Sequence, residues 1–142
     1  MSLDYILTEM RERRLGFAAH YLLLYSAVRG LNAQRVFEFG AGMSTRVILD
    51  ALDETGGELV SCSTDSRLHV ANTAGIRVIE RMRWTHLEGL SINTRAGLRG
   101  CPVDLILHDG AHDRETVIDD LREVMPALIR FGLVLIHDTQ HE

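Results

Sequence analysis

The sequence predicts a three-layer α/β fold, a mostly parallel sheet covered by helices on both faces, and three observations predict it. Short apolar runs rich in β-branched residues alternate with stretches of helical periodicity, which is the pattern of parallel strands joined by crossover helices. The first run ends in a glycine turn, Gly40-Ala41-Gly42, directly before a helical pattern. Charged or histidine side chains recur where the runs end: Glu38, Asp65, His108-Asp109 and His137-Asp138.

Each element has its own signal. From Leu3 to Val28 there is no proline and one glycine, Gly16, while Ile6, Met10, Phe17, Tyr21, Leu24 and Val28 fall at helical spacing, giving one long helix or two short ones. Arg35 to Phe39 is a strand and Thr45 to Leu52 the helix after the glycine turn. Beyond the loop Glu54 to Glu58, a strand Leu59 to Ser63 leads to Asp65. A helical stretch spans Leu68 to Ile79, weakened by Asn72, Thr73 and Gly75, and Trp84 to Leu87 reads as a third strand. Ser91 to Gly100 fits no single pattern, and Pro102 separates it from the strand Val103 to His108. Asp113 caps a helix from Arg114 to about Ile129, and Leu133 to His137 is the last strand. The expected organisation is one domain over 1–142, with a helical segment at 1–30 and a nucleotide-binding core at 34–142.

Composition narrows the partners. The chain has 142 residues, 46% hydrophobic and 25% charged, enough for one buried core. A net charge of -5 from 15 basic and 20 acidic residues, well mixed along the chain, offers no basic stripe for a phosphate backbone, so nucleic acid is not an expected partner. The longest apolar stretch, Phe17 to Val28, falls short of the ~20 residues that span a bilayer, and the N-terminus lacks the order of a secretion signal. Cys62 and Cys101 form neither a disulfide framework nor a zinc spacing. A soluble, cytoplasmic protein is the expectation.

In open parallel sheets ligands bind beyond the carboxyl ends of the strands. Gly40 and Gly42 let the backbone turn sharply and approach a ligand closely, which favours a nucleotide. The position of a third dinucleotide glycine is occupied by Thr45, and the carboxylate of Glu38 suits a cationic amino group better than a pyrophosphate, so NAD is the weaker alternative. Asp65 follows Gly42 at the spacing of an acidic residue that holds ribose hydroxyls, with helix capping as its structural alternative. Trp84, Met10, Met43, Met82 and Met125 read as packing residues.

The stretch Phe37-Glu38-Phe39-Gly40-Ala41-Gly42-Met43-Ser44-Thr45 resembles the first motif of class I S-adenosylmethionine-dependent methyltransferases. Asp104 to His112, then Asp119-Asp120-Leu121, then Gly132 to Thr139, are similar to the small-molecule O-methyltransferase branch, with its catechol-type, sugar and cephalosporin hydroxylase-like members. The resemblance implies a Rossmann-like fold and methyl transfer to a hydroxyl of a small-molecule acceptor. It implies that Glu38, Gly40 and Gly42 hold the methionine part of S-adenosylmethionine and Asp65 its ribose, with Ser44 a further cofactor-binding residue. Asp109 and Asp138 become candidate ligands of Mg2+, since the ends of neighbouring strands lie ~4.8 Å apart and two carboxylates can share one hard cation. Asp109 and His112 are the candidate catalytic residues. Histidines recur in step, His108-Asp109 with His112 and His137-Asp138 with His141, but His108 and Asp109 alternate faces, so all six groups cannot meet at one metal. After the third strand, Gly89-Leu90-Ser91 offers no acidic residue for the adenine.

The sequence stops at Glu142, where the full fold continues with a helix and two strands, so the expected fold lacks those last strands. A non-catalytic cofactor-binding or oligomerisation module is therefore a second reading. The apolar run Phe131 to Ile136 is expected to be buried on both faces. Left uncovered on one edge, it predicts a homodimer, formed by edge pairing of that run or by exchange of Phe17 to Val28.

Overall fold

The computed structural model describes residues 7–8, 10–12, 16–64, 81–89, 98 and 100–137. Among the described residues five strands run β1 (Arg35–Phe39), β2 (Glu58–Ser63), β3 (Trp84–Glu88), β4 (Val103–His108) and β5 (Leu128–Ile136). All neighbouring pairs are parallel, in the order β3-β2-β1-β4-β5. The chain leaves β1 toward one side and returns at β4 to build the other, so the order reverses between β1 and β4.

Alternation along the central strands creates two cores. Val36, Leu59, Leu105 and Leu107 face helices α1 (Tyr21–Gly30) and α2 (Met43–Thr55), whose Tyr21, Leu24, Val28, Ile48, Leu49 and Leu52 complete one cluster. Phe37, Phe39, Val60 and Ile106 face the opposite side, where Val124 of α3 (Arg114–Val124) closes the second. Every residue of β1 after Arg35 is buried, as expected for a central parallel strand. Below β1, the Asp104 carboxylate accepts the backbone N–H groups of Gln34 (2.7 Å) and Arg35 (2.8 Å), fixing the start of β1 against β4.

Helix ends follow local chemistry. Gly56 ends α2 in the left-handed region at φ 80°, where its N–H bonds the Leu52 carbonyl. Asp113 caps α3 by accepting the Thr116 N–H at 2.9 Å, and that bond holds its carboxyl below the usual range.

Three expectations are corrected. Helix α3 ends at Val124 rather than near Ile129, because Pro126 has no N–H to donate and its ring clashes with the preceding turn; a 3-10 turn, Met125–Ala127, replaces it. Strand β5 consequently begins at Leu128, five residues before the expected Leu133. Nor is β5 buried on both faces: none of its residues is buried and Phe131 is 79% exposed, and among the described residues it is the edge strand, as expected. Between Val103↔Leu128 and Leu105↔Leu133, five positions of β5 are set against two of β4, and this bulge pushes Phe131 outward. Among the described residues no helix is long and apolar enough to cross a membrane.

Candidate active site

Glycine 40 is the residue that the β1 turn requires. Its φ of 87° disfavours any side chain, and an added Cβ would lie 2.3 Å from the Asp109 carbonyl oxygen. The close approach is fixed from both sides, by Gly40 N–H to the Cys62 carbonyl (2.8 Å) and Asp109 N–H to the Phe39 carbonyl (3.0 Å). The ends of β1 and β4 therefore meet at the point where the strand order reverses, the usual place for a ligand in this architecture.

A cleft of about 500 Å³ opens there, a size typical of small-molecule sites. Gly40, Ala41 and Gly42 form one wall, and Cys62 to Thr64 with Gly89 form the side beyond β2 and β3. Asp109 to His112 close it from β4, and Asp113, Thr116 and Asp120 line it from α3. Of the residues expected at the site, Gly40, Gly42, Asp109 and His112 thus share one cleft. Asp65 and Asp138, like the helical stretch Leu68 to Ile79, lie outside the described residues.

Glu38 and Ser44 sit elsewhere, beneath the turn. Glu38 is fully buried, and its carboxylate accepts three hydroxyls: Ser44 Oγ at 2.5 Å, Thr45 Oγ1 at 2.7 Å and Ser61 Oγ at 2.6 Å. Thr45 Oγ1 in turn accepts the Gly42 N–H at 2.9 Å, and Trp84 Nε1 donates to Ser61 Oγ at 3.0 Å. One carboxylate thereby ties the glycine turn, the start of α2 and strands β2 and β3 together. Burial pushes the Glu38 carboxyl up to about 7, against the pull of its three hydroxyl donors. Thr45 and Ser61 were not expected here. The spacing Ser44-Thr45 after a buried glutamate is the only sequence signal for the first, and Ser61 has none, because it reaches Glu38 across strand pairing.

Two histidine–aspartate pairs stand at the end of β4. His108 is fully buried, its ring 4.8 Å from that of Phe39, and its Nε2 lies 3.0 Å from Asp120 Oδ2. On the other side of the strand, His137 Nδ1 lies 2.9 Å from Asp109 Oδ1, with the His20 ring 6.0 Å from that of His137. His108 and Asp109 do point apart, as strand alternation requires. Among the described residues no three histidine, cysteine or acidic side chains form a group that could hold a metal ion. Neither Cys62 nor Cys101 is in a disulfide; burial, then the nearby Asp120, pushes the Cys62 thiol up, and its Sγ donates to the Gly89 carbonyl at 3.2 Å.

Comparison with known proteins agrees with this geometry. No curated protein matches the sequence. A candidate caffeoyl-CoA O-methyltransferase from Staphylococcus aureus superposes with a TM-score of 0.74 at 15% identity, over 96% of this chain and 66% of that one. A methyltransferase from Podospora anserina bound to S-adenosylhomocysteine gives 0.70 at 18% identity, over 94% and 58%. The MycE methyltransferase of the mycinamycin pathway, in complex with Mg and S-adenosylhomocysteine, gives 0.61 at 19%, over 99% and 35%. These likenesses establish the Rossmann-like methyltransferase fold, and the chain spans 66% or less of each of these structures. The family model "Methyltransferase domain" matches residues 37–139, from the middle of β1 to just past β5. The chain belongs to the methyltransferase domain family.

Proposed function

We propose that this chain binds S-adenosylmethionine in the cleft and transfers its methyl group to a hydroxyl of a small-molecule acceptor. The observation that carries the reading is the convergence, at the reversal of strand order, of the glycine turn of β1 with Asp109 and His112 from β4. When bound, the cofactor supplies a methyl group activated by its sulfonium. Gly40 and Gly42 admit the ligand close to the backbone, while Glu38, through Thr45 and Ser44, holds that turn in shape. Asp65 is assigned to the ribose. His112 takes the proton of the acceptor hydroxyl as general base, and Asp109 orients that hydroxyl.

Mg2+ belongs to this reading through Asp109 and Asp138 as its ligands, where it would lower the pKa of the hydroxyl. Titration calorimetry with S-adenosylhomocysteine tests the cofactor, and no binding at millimolar ligand removes the reading. For the chemistry, Asp109→Asn is expected to cut turnover at least a hundredfold with cofactor affinity within about threefold of wild type. Turnover unchanged by a chelator removes the cation and leaves His112 as the base. Cofactor binding without turnover on a broad acceptor panel favours the non-catalytic module instead.

The same reading places the protein in the cytoplasm, where Cys62 and Cys101 stay reduced, with neither nucleic acid nor membrane as partner. It also includes a homodimer through the β5 edge. Ile129, Phe131, Leu133 and Ile136 are exposed there, whereas Tyr21, Leu24 and Val28 are already buried within their own chain, so exchange of the N-terminal segment is disfavoured. Light scattering over a range of concentrations is expected to give a dimer mass that Phe131→Lys converts to monomer. A monomer mass throughout for the wild type excludes the dimer.

A further inference from the structure

The three hydroxyls around Glu38 are not equivalent. Thr45 Oγ1 and Ser61 Oγ both donate to Oε2, at 2.7 and 2.6 Å, and each accepts an N–H group in turn, from Gly42 at 2.9 Å and from the Trp84 indole at 3.0 Å. An N–H group only donates, so these hydroxyls present a lone pair to it and aim their hydrogens at Oε2. Ser44 Oγ is bonded differently. Among the described residues its partner is Glu38 Oε1, at 2.5 Å, and no N–H group fixes its direction. Oε2 is therefore closed to a proton, whereas Oε1 can take one and Ser44 can turn from donor to acceptor.

The charge state of Glu38 reaches the cleft through these bonds. A hydrogen bond to a carboxylate is roughly twice as strong as one to a neutral acceptor. Ser44 and Thr45 stand in the first turn of α2, where the helix dipole also favours a negative charge. With the carboxylate bare, Ser44 ties the start of α2 to β1, and Thr45 is anchored while it holds the Gly42 N–H. A proton on Oε1 removes the charge, reverses the Ser44 bond and weakens the Thr45 arm. Gly42, at the end of that arm, lines the cleft, and Glu38 does not.

We infer that Glu38 is a positioning residue that shapes the cofactor turn as a bare carboxylate, so that cofactor binding expels a proton from Oε1, beside Ser44, into the solvent. This rests on the cofactor reading above and adds its coupling to pH. Folding and binding then respond to pH in opposite directions. Burial raises the Glu38 carboxyl to about 7, so the fold favours the proton below that value, whereas the cofactor favours its loss. A carboxyl with a merely structural role gives no such opposition. The other titratable groups in the elements on this face are Asp109 with His137, His86 of β3, Tyr21 of α1 and Asp50 of α2, and all remain in a Glu38→Gln variant.

The test is calorimetry with S-adenosylhomocysteine on the full chain from about pH 6 to about pH 8, in buffers of different ionisation heat, which count the protons released. Wild type is expected to bind about tenfold more tightly at the upper pH, because about one molecule in ten carries the bare carboxylate at the lower one. About one proton is expected to leave per ligand bound at the lower pH, and almost none at the upper. Glu38→Gln is expected to bind with one affinity across the range and to release no proton. Ser44→Ala takes a donor from the carboxylate and is expected to move the step to higher pH. A wild-type affinity that stays level or falls as pH rises overturns the inference and leaves cofactor binding itself intact. So does a rise that survives in Glu38→Gln, which assigns it to one of the other groups. Should that variant not fold, Ser44→Ala decides, and a step that it leaves unmoved overturns the inference. Absence of binding at every pH removes the cofactor reading as well.

Discussion

Gly40→Val is expected to abolish binding of S-adenosylhomocysteine and to lower folding stability by about 3 kcal/mol or more. The backbone there has φ 87°, a region that a β-branched residue enters only under strain, worth roughly 1–3 kcal/mol. The added Cβ also meets the Asp109 carbonyl oxygen at 2.3 Å and its carbon at 2.7 Å. Those are backbone atoms in a segment pinned by the Asp109 N–H bond to Phe39, so no rotamer change relieves the clash. The loop that carries Asp109 to His112 must move away from the glycine turn, and the two walls of the cleft move apart with it. Gly40→Ala carries the same Cβ and is expected to follow in reduced degree. Calorimetry and urea unfolding check both effects, and wild-type affinity in Gly40→Val would contradict the close approach described here.

The second large effect concerns Glu38 and pH. Its carboxyl is raised from an ordinary 4.5 to about 7 in the folded protein, so between those values the native state holds a proton that the unfolded chain has released. The unfolding free energy therefore falls as pH rises from about 4.5 through about 7 and is level above that window. The contribution is on the order of 3 kcal/mol from full burial. Glu38→Gln, which does not titrate, is expected to flatten the profile. Glu38→Leu is expected to cost about 3 kcal/mol or more at any pH, because Ser44, Thr45 and Ser61 lose a buried acceptor. Trp84, the single tryptophan, donates to Ser61 and is coupled to Glu38 through it. Its emission in the folded protein is expected to change with a midpoint near 7. Stability that rises across the same window, or an emission indifferent to pH, would contradict this account.

Much of the fold is legible in the residues. Runs such as Val103 to His108 are too short and too apolar to be helices, and both β1 and β4 match their expected limits. The end of α3 is legible as well, in Pro126, although helical periodicity continues through Leu128 and Ile129. The glycine turn, Asp109 and His112 could be placed at one end of the sheet because parallel strands deliver their carboxyl ends to the same side. Local pattern is enough for that step.

What the sequence by itself determined is therefore the class of the fold, the family motif and the side of the sheet on which ligands bind, since all three depend on residues close together in the chain. Only the tertiary structure decided the strand order β3-β2-β1-β4-β5, and with it which strand ends face each other. It alone turned Glu38 inward, onto a serine 23 positions away on the neighbouring strand. It alone paired His108 with Asp120 and, through the bulge in β5, exposed Phe131. The physical reason is common to these cases: periodicity tells which residues share a face, whereas the partner of a buried polar group is set by which elements pack together, and that depends on contacts far apart in sequence.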